Sequence, residues 1–105
     1  MKEIFEKIKT AGETADNTIT DVILKIVEEA GEVTAEDLRV RNIKPIKDTQ
    51  NPLEERKEES VDLLLATLDL CFRQMSEEEM IVLLNKKLNK WLSYKKDKYE
   101  ENSNR

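Results

Sequence analysis

The segment EESVDLLLATLDLCF at residues 58–72 has the composition of a helix and combines leucines with acids. From residue 61 to 72, nine of the twelve residues are apolar, so the helix has no broad polar face. A helix that is apolar nearly all round is buried, and we expect Asp62 and Asp69 to lie in or beside the core. A buried ionised carboxylate needs a cation, hydrogen-bond donors or a raised pKa. This segment therefore predicts a helical core that contains acidic side chains.

The composition of the whole chain also favours helices. Its 105 residues include two glycines and two prolines, and aromatic residues make up 5%. Leu, Ile, Val, Lys and Glu dominate, which favours long helices over sheets. A chain of this length with 39% charged residues buries only a modest core. We expect an all-α bundle of about four helices whose core is completed by oligomerisation, since small scaffolds often need such support.

Charge and cysteine content limit the partners and the compartment. The net charge of −5 disfavours nucleic acid and anionic membrane, and we expect neither as a partner. The single cysteine, Cys71, cannot form an internal disulfide, and its apolar surroundings predict a buried free thiol. No run of about 20 apolar residues and no apolar signal segment occurs, so we expect a cytoplasmic protein.

Local signals divide the chain into helices and connectors. Thr18 followed by Asp21 is typical of a capping box, and Ser76 with Glu79 repeats the pattern. Pro52 suits the first turn of a helix. The predicted helices cover 2–9, about 17–38, about 52–75 and a last segment after Ser76. The polar stretch 10–18 is predicted as a loop or frayed turn, and 39–52 as a connector. We expect one domain over 1–98 and a disordered tail over 99–105.

Two acid pairs stand three residues apart, a spacing that puts both side chains on the same side of a helix. Glu29 pairs with Glu32, and Glu59 pairs with Asp62. The alternative is that these acids form a solvated helix face. For Glu28 and Glu58 taken alone, a solvated face and a functional role explain the residue equally well. Like charges this close repel each other, and one divalent cation resolves the conflict for both members of a pair.

The ligand types indicate which cation. The chain has no histidine, which argues against zinc and against the di-iron bundle with its Glu-x-x-His pairs. All-oxygen ligation suits Mg²⁺, with Mn²⁺ as a substitute. Four carboxylates favour two or more ions. The mid-helix Gly31 costs about 1 kcal/mol relative to alanine, and close helix approach, room for water or a tolerated irregularity would each account for it.

At this point the order of the motifs resembles a known family. EEAGE at 28–32 and EESVD at 58–62, with the segment KKLNKWLSYK at 86–95, are similar to the EExxE…ExxD signature of the MazG-like nucleotide pyrophosphohydrolases. These belong to the all-α NTP pyrophosphatase superfamily, and the resemblance spans roughly residues 19–95. It implies Mg²⁺-dependent hydrolysis of a (d)NTP to (d)NMP and pyrophosphate by metal-activated water, in a homo-oligomer (dimer or tetramer).

Carried over by position, the resemblance implies that the catalytic and metal-binding residues are Glu29, Glu32, Glu59 and Asp62. Glu28 would be an orienting or outer-shell residue. Relatives often carry a lysine followed four residues later by asparagine, whereas here Lys87 is followed by Trp91. Candidates for phosphate or substrate binding are therefore Lys87, Asn89 and Lys90, with solvated lysines as the alternative.

A second hypothesis uses the same fold for a different purpose. The chain could be a catalytically silent helical oligomer that acts as an adaptor or as a nucleotide- or metal-binding protein. Pyrophosphate release in the presence of Mg²⁺ separates the two hypotheses. Nothing in the sequence identifies the base or the sugar of the nucleotide.

Overall fold

The computed structural model describes the backbone of residues 1–103 and the side chains of residues 1–95. It contains four helices: α1 (Lys2–Thr14), α2 (Ile19–Val40), α3 (Pro52–Gln74) and α4 (Glu77–Ser103). No strand occurs among the described residues, and the prediction of an all-α protein with four helices is confirmed. The chain divides into two compact units, Met1–Gln74 with the first three helices and Met75–Arg105 with α4.

The ends of α2 are set by local hydrogen bonds. The Thr18 hydroxyl accepts from the Asp21 N–H at 3.2 Å, and the Asp21 carboxylate accepts from the Thr18 N–H at 2.9 Å, which confirms the predicted capping box. At the other end Asn42 adopts a φ of 60°, and the Ile43 N–H donates to the Leu38 carbonyl at 2.9 Å. This left-handed residue closes the helix in a Schellman motif.

The third helix begins where its proline predicts. Pro52 is the first residue of α3, and the side-chain oxygen of Asn51 accepts from the Glu54 N–H at 3.3 Å. Residues 41–51 form the connector between α2 and α3. The predicted third helix and connector are thus correct to within about two residues at each end, the usual precision of such boundaries.

The first helix is longer than the sequence predicted, because α1 continues through the small polar residues up to Thr14. Its packing against α3 accounts for the extension. Phe5 meets Phe72 edge-on with ring centroids 5.4 Å apart, and Ile8 is buried. Farther along, Gly12 brings α1 close to Asp69, since a Cβ at Gly12 would lie 2.6 Å from Asp69 Oδ1.

The prediction that the leucine-rich helix is buried nearly all round is wrong, although Asp62 does lie beside buried Glu29. Asp62 is exposed, Asp69 is half-buried, and α3 has no fully buried residue. Within the first unit α3 is covered by α1 and α2 alone, so apolar residues on its other side remain exposed, including Val61 and Leu64. Completion of the core by oligomerisation stays a prediction.

The second unit contains α4. The Ser76 hydroxyl accepts from the Glu79 N–H at 3.2 Å, as the predicted N-cap requires. The backbone of α4 is helical through Ser103, so the helix includes most of the segment predicted as a disordered tail, and residues 104–105 lie outside the described part.

Candidate metal centre

The candidate site is built on the packing of α2 against α3. The two helices run in opposite directions, because Asp37 near the end of α2 accepts a hydrogen bond of 2.7 Å from Arg56 near the start of α3. Halfway along α2, this register brings Glu29 opposite Glu59 and Asp62 of α3. Two acid-bearing segments that are 25 residues apart in the sequence thereby meet in space.

Three carboxylates form the centre of the site, which we call the three-carboxylate cluster (Glu29, Glu59 and Asp62). One oxygen from each residue lies within 4.8 Å of the others. Opposite ligands of Mg²⁺ or Ca²⁺ are about 4–5 Å apart, twice the metal–oxygen distance. The spacing therefore fits a single hard cation held between the two helices.

The burial of Glu29 makes the cluster more than an exposed acidic face. Glu29 is only 6% exposed. Its Oε1 accepts from Lys25 Nζ at 2.9 Å, while its buried Oε2 has no hydrogen-bond partner among the residues that the structure describes. A buried carboxylate oxygen without a partner is costly, and a bound cation would satisfy it.

The same crowding affects the proton affinity of Glu59. Burial raises the pKa of this carboxyl group, and the negative charges of Asp62, Glu29 and Glu32 raise it further, together with a side-chain hydrogen bond to Glu29. When both groups are ionised neither can donate, which leaves Glu29 Oε2 unsatisfied. When Glu59 is protonated it can donate to Glu29. The cluster therefore has affinity for a positive charge, either a proton or a cation.

The remaining predicted site residues lie outside this cluster. Glu32 is exposed and is not one of the three, although its charge contributes to the raised pKa of Glu59. Glu28 is exposed, with Oε1 at 3.8 Å from Lys25 Nζ. The candidates for phosphate binding, Lys87, Asn89 and Lys90, are exposed residues of α4 in the second unit.

Gly31 lies between the two acids of the α2 motif. A Cβ built at this position meets no atom within 4 Å. Close helix approach is therefore not the reason for this glycine, and that part of the sequence-based explanation is wrong. The space beside Gly31 is open.

A groove adjoins the cluster on the side of α1. Its volume is about 470 Å³, and it lies among the three helices of the first unit. Apolar side chains and polar ones share the lining: Ile8, Ala11, Val22, Leu65 and Ala66, with Asn17, Lys25, Glu29, Asp62 and Asp69. Glu29 and Asp62 belong to the three-carboxylate cluster, so a ligand in this groove would contact the cluster directly.

Sequence reasoning missed two features of this region. Lys25 contacts Glu29, and its position four residues earlier on the same helix is the spacing that indicates such a pair. Arg73 donates to Asp69 at 2.9 Å and to Asn17 Oδ1 at 2.7 Å, and so attaches the α1–α2 connection to α3. Asp69 and Arg73 are four residues apart on one helix, a spacing that allows such a pair, while no local pattern indicated the contact with Asn17.

A second acid pair lies farther along the same interface. Glu36 is 6% exposed, pairs with Arg39 through Oε1, and has a buried Oε2 without a hydrogen-bond partner among the described residues. Burial raises the pKa of Glu55, and the hydrogen bond and charge of Glu36 add to the effect. Glu36 follows Glu29 by seven residues, the same interval that separates Glu55 from Asp62. We call this double row of carboxylates between α2 and α3 the acid seam.

No family model, curated protein or solved structure matches this chain. Within residues 1–103, none of the helices is both long enough and apolar enough to cross a membrane. The predicted location in the cytoplasm stays a prediction. The functional interpretation therefore depends on the cluster, the groove and the motifs that carry the resemblance.

Proposed function

We propose that the protein is a Mg²⁺-dependent nucleoside triphosphate pyrophosphohydrolase of the MazG-like kind, which converts a (d)NTP to (d)NMP and pyrophosphate. The three-carboxylate cluster is the observation that carries this proposal. Its members come from the two motifs that resemble the family signature, and the signature implies that they share one site. Their oxygens lie within 4.8 Å of one another, as ligands of one cation must.

Glu29, Glu59 and Asp62 would hold the cation. Oxygen ligands favour Mg²⁺ or Mn²⁺, and these ions usually keep coordination positions for water and for substrate phosphates. The cation would supply positive charge for the phosphoryl oxygens and would make water more acidic. Glu32 is exposed, and its negative charge contributes to the raised pKa of Glu59, so Glu32 is the candidate for a fourth carboxylate ligand.

The groove gives the nucleoside a place beside the cation. Ligand pockets commonly enclose about 300–1,000 Å³ and combine an apolar lining with a few polar groups. A volume of about 470 Å³ lies within that range, and Asn17 and Asp69 supply polar groups away from the cluster. We therefore assign the triphosphate to the cluster and the nucleoside to the groove.

Self-association is the second part of the proposal. Large apolar side chains remain exposed on both long helices of the first unit, among them Leu24 (62%), Val27 (65%) and Leu64 (55%). Apolar surface of this kind typically marks an interface. We propose a homodimer or homotetramer, which light scattering coupled to size exclusion would test, and a monomer at micromolar concentration would contradict it.

The decisive assay follows both products. Purified protein is incubated with a panel of (d)NTPs in Mg²⁺, Mn²⁺ or EDTA, and pyrophosphate and monophosphate are quantified. We expect equimolar release of both with either metal and none with EDTA. Release of orthophosphate, or turnover that resists EDTA, would contradict the proposed chemistry.

Variants then connect the chemistry to the cluster. We expect Glu29→Gln and Asp62→Asn to abolish turnover with the helical circular dichroism unchanged, and Glu32→Gln to do the same if Glu32 completes the site. Glu58→Gln is the matched control, because Glu58 is an exposed acid next to Glu59 and lies outside the cluster. Near-normal turnover of Glu29→Gln would remove the cluster from the mechanism.

The alternative hypothesis, a catalytically silent oligomer, predicts a different result in the same experiments. A folded oligomer that turns over none of the nucleotides would overturn the enzymatic proposal. Calorimetric titration with Mn²⁺ would then show whether the cluster binds metal without catalysis.

A further inference from the structure

Lys25 already supplies a positive charge to the metal centre. Its Nζ lies 2.9 Å from Glu29 Oε1 and 3.8 Å from Glu28 Oε1. The pKa of Lys25 is raised, first by the hydrogen bond to Glu29, then by the charges of Glu28 and Glu29, and in smaller part by Asp62. The ammonium group thus interacts with two members of the three-carboxylate cluster.

We propose that Lys25 is the resident cation of the cluster, that a divalent metal ion displaces it from Glu29, and that the released ammonium group then binds a phosphate oxygen of the nucleotide. This inference rests on the proposed function and deepens it. Lys25 becomes a substrate-binding residue whose partner depends on whether metal is present.

Displacement follows from electrostatics at short range. A divalent cation held by Glu29, Glu59 and Asp62 would lie within a few ångströms of Nζ, and two cations at that separation repel each other. Glu29 would also direct its negative charge to the metal, which weakens its attraction for the ammonium group. Lys25 can move away at little cost, because its side chain is 55% exposed and has a flexible four-carbon stem.

The groove determines where the ammonium group finds its next partner. Lys25 lines the groove together with Glu29 and Asp62. A polyphosphate held by metal at the cluster would place anionic oxygens beside Lys25, and lysine binds phosphate as a mobile point charge. The displaced ammonium group and the substrate therefore meet in the same space.

An ordinary structural ion pair would behave differently. Lysine four residues before glutamate is the weaker orientation of such a pair on a helix, and here the glutamate is buried while most i,i+4 pairs are exposed. A structural pair would hold Glu29 in position, so its loss would weaken metal binding. A resident cation competes with metal, so its loss would strengthen metal binding.

The first test is calorimetric titration of metal-free protein with Mn²⁺, without nucleotide and at constant pH. We expect Lys25→Met to bind Mn²⁺ about tenfold more tightly than the wild type, the change that loss of one charge-assisted hydrogen bond to Glu29 allows. Lys57→Met is the matched control, since Lys57 on α3 pairs with the exposed Glu54 and should leave the affinity unchanged. Unchanged or weaker Mn²⁺ binding by Lys25→Met would overturn the inference.

A second variant protects the test against misfolding, because Lys25→Met leaves the buried Glu29 carboxylate without its partner. Lys25→Gln keeps a hydrogen-bond donor and removes the charge, and we expect it to bind Mn²⁺ more tightly as well. Mn²⁺ should also raise the melting temperature of both variants by more than that of the wild type. Equal shifts in all three proteins would contradict competition.

The phosphate contact has a separate readout. With Mn²⁺ saturating, we expect Lys25→Met to bind inorganic pyrophosphate about tenfold more weakly than the wild type, and Lys57→Met to match the wild type. Equal pyrophosphate affinity would overturn the phosphate half of the inference. Failure of the proposed function looks different: the wild type binds Mn²⁺ but releases no pyrophosphate from any nucleotide.

Discussion

The two glycines make a matched pair of opposite predictions for the same substitution. Replacing a mid-helix glycine such as Gly31 by alanine is worth about 1 kcal/mol in intrinsic helix stability, and Gly12, in the last turn of α1, gains at most that amount. At Gly31 the new methyl group meets no atom within 4 Å, so the full gain should appear. We expect Gly31→Ala to raise the free energy of unfolding by about 1 kcal/mol.

At Gly12 the same methyl group would lie 2.6 Å from Asp69 Oδ1, too close for contact without movement. That oxygen accepts from Arg73 Nε at 2.9 Å, so moving it weakens a half-buried ion pair. Hydrogen bonds to charged groups contribute about 1.5–3 kcal/mol, which exceeds the gain in helix propensity. We expect Gly12→Ala to lower stability by about 1 kcal/mol, so that the two variants differ by about 2 kcal/mol.

Urea unfolding followed by circular dichroism measures both variants, at one protein concentration because oligomers gain stability by mass action. The double variant Gly12→Ala/Asp69→Ala isolates the cause. Once the carboxylate is removed, the alanine at position 12 should stabilise the protein, which gives a large coupling energy. A Gly12→Ala protein as stable as Gly31→Ala would refute the close approach of α1 to α3.

Four further predictions concern local features. Asn42→Ala should cost about 1–2 kcal/mol, because alanine adopts the left-handed φ of 60° less readily than asparagine or glycine, whereas Asn42→Gly should be nearly neutral in the same urea assay. Thr18→Ala should cost about 1 kcal/mol by loss of the cap. The hydrogen bonds with Thr18 lower the pKa of Asp21. The ionised Asp21 therefore contributes to folding stability above its ordinary pKa, and this contribution is lost as pH falls through the lowered value. The stability difference between the wild type and Asp21→Asn should disappear in acid. Glu55→Gln should stabilise the protein at neutral pH, because the raised pKa of Glu55 reflects burial and repulsion by Glu36. The gain in stability should shrink as pH falls through that raised value and Glu55 becomes protonated. A gain that is independent of pH would contradict the contact with Glu36.

Signals that act within a few residues were sufficient to predict the helices. Thr18 and Asp21 satisfy each other across one turn, and Pro52 begins α3, so no distant part of the chain is needed to set these boundaries. The end of α1 is the exception, because its extension to Thr14 depends on contact with α3, 50 and more residues later.

The sequence did not predict which residues of α3 are buried or which acids pair between α2 and α3. The leucine-rich run of α3 predicted a buried helix, but burial depends on which helices cover each face, and α1 and α2 leave one side of α3 open. Helix periodicity places Glu59 beside Asp62 on α3, but their meeting with Glu29 depends on the register of α2 against α3, and only the resemblance predicted it. The contact between Glu36 and Glu55 depends on the register that the 41–51 connector allows, and the sequence alone does not specify that register.

If the acid seam binds the cation that we propose, the stability of the protein depends on the ions around it. Between α2 and α3 it has two buried carboxylates, Glu29 and Glu36, each with an oxygen that has no hydrogen-bond partner in the described part of the chain. An ion that binds only the folded chain stabilises it by RT ln(1 + [L]/Kd), about 2.7 kcal/mol at a hundredfold excess over Kd. In a chain with so small a core, that amount is a large share of the total stability. The lifetime of the protein against proteolysis would then follow the concentration of free divalent cation, so that, under the proposed function, a cell depleted of magnesium would lose the protein itself as well as the proposed activity.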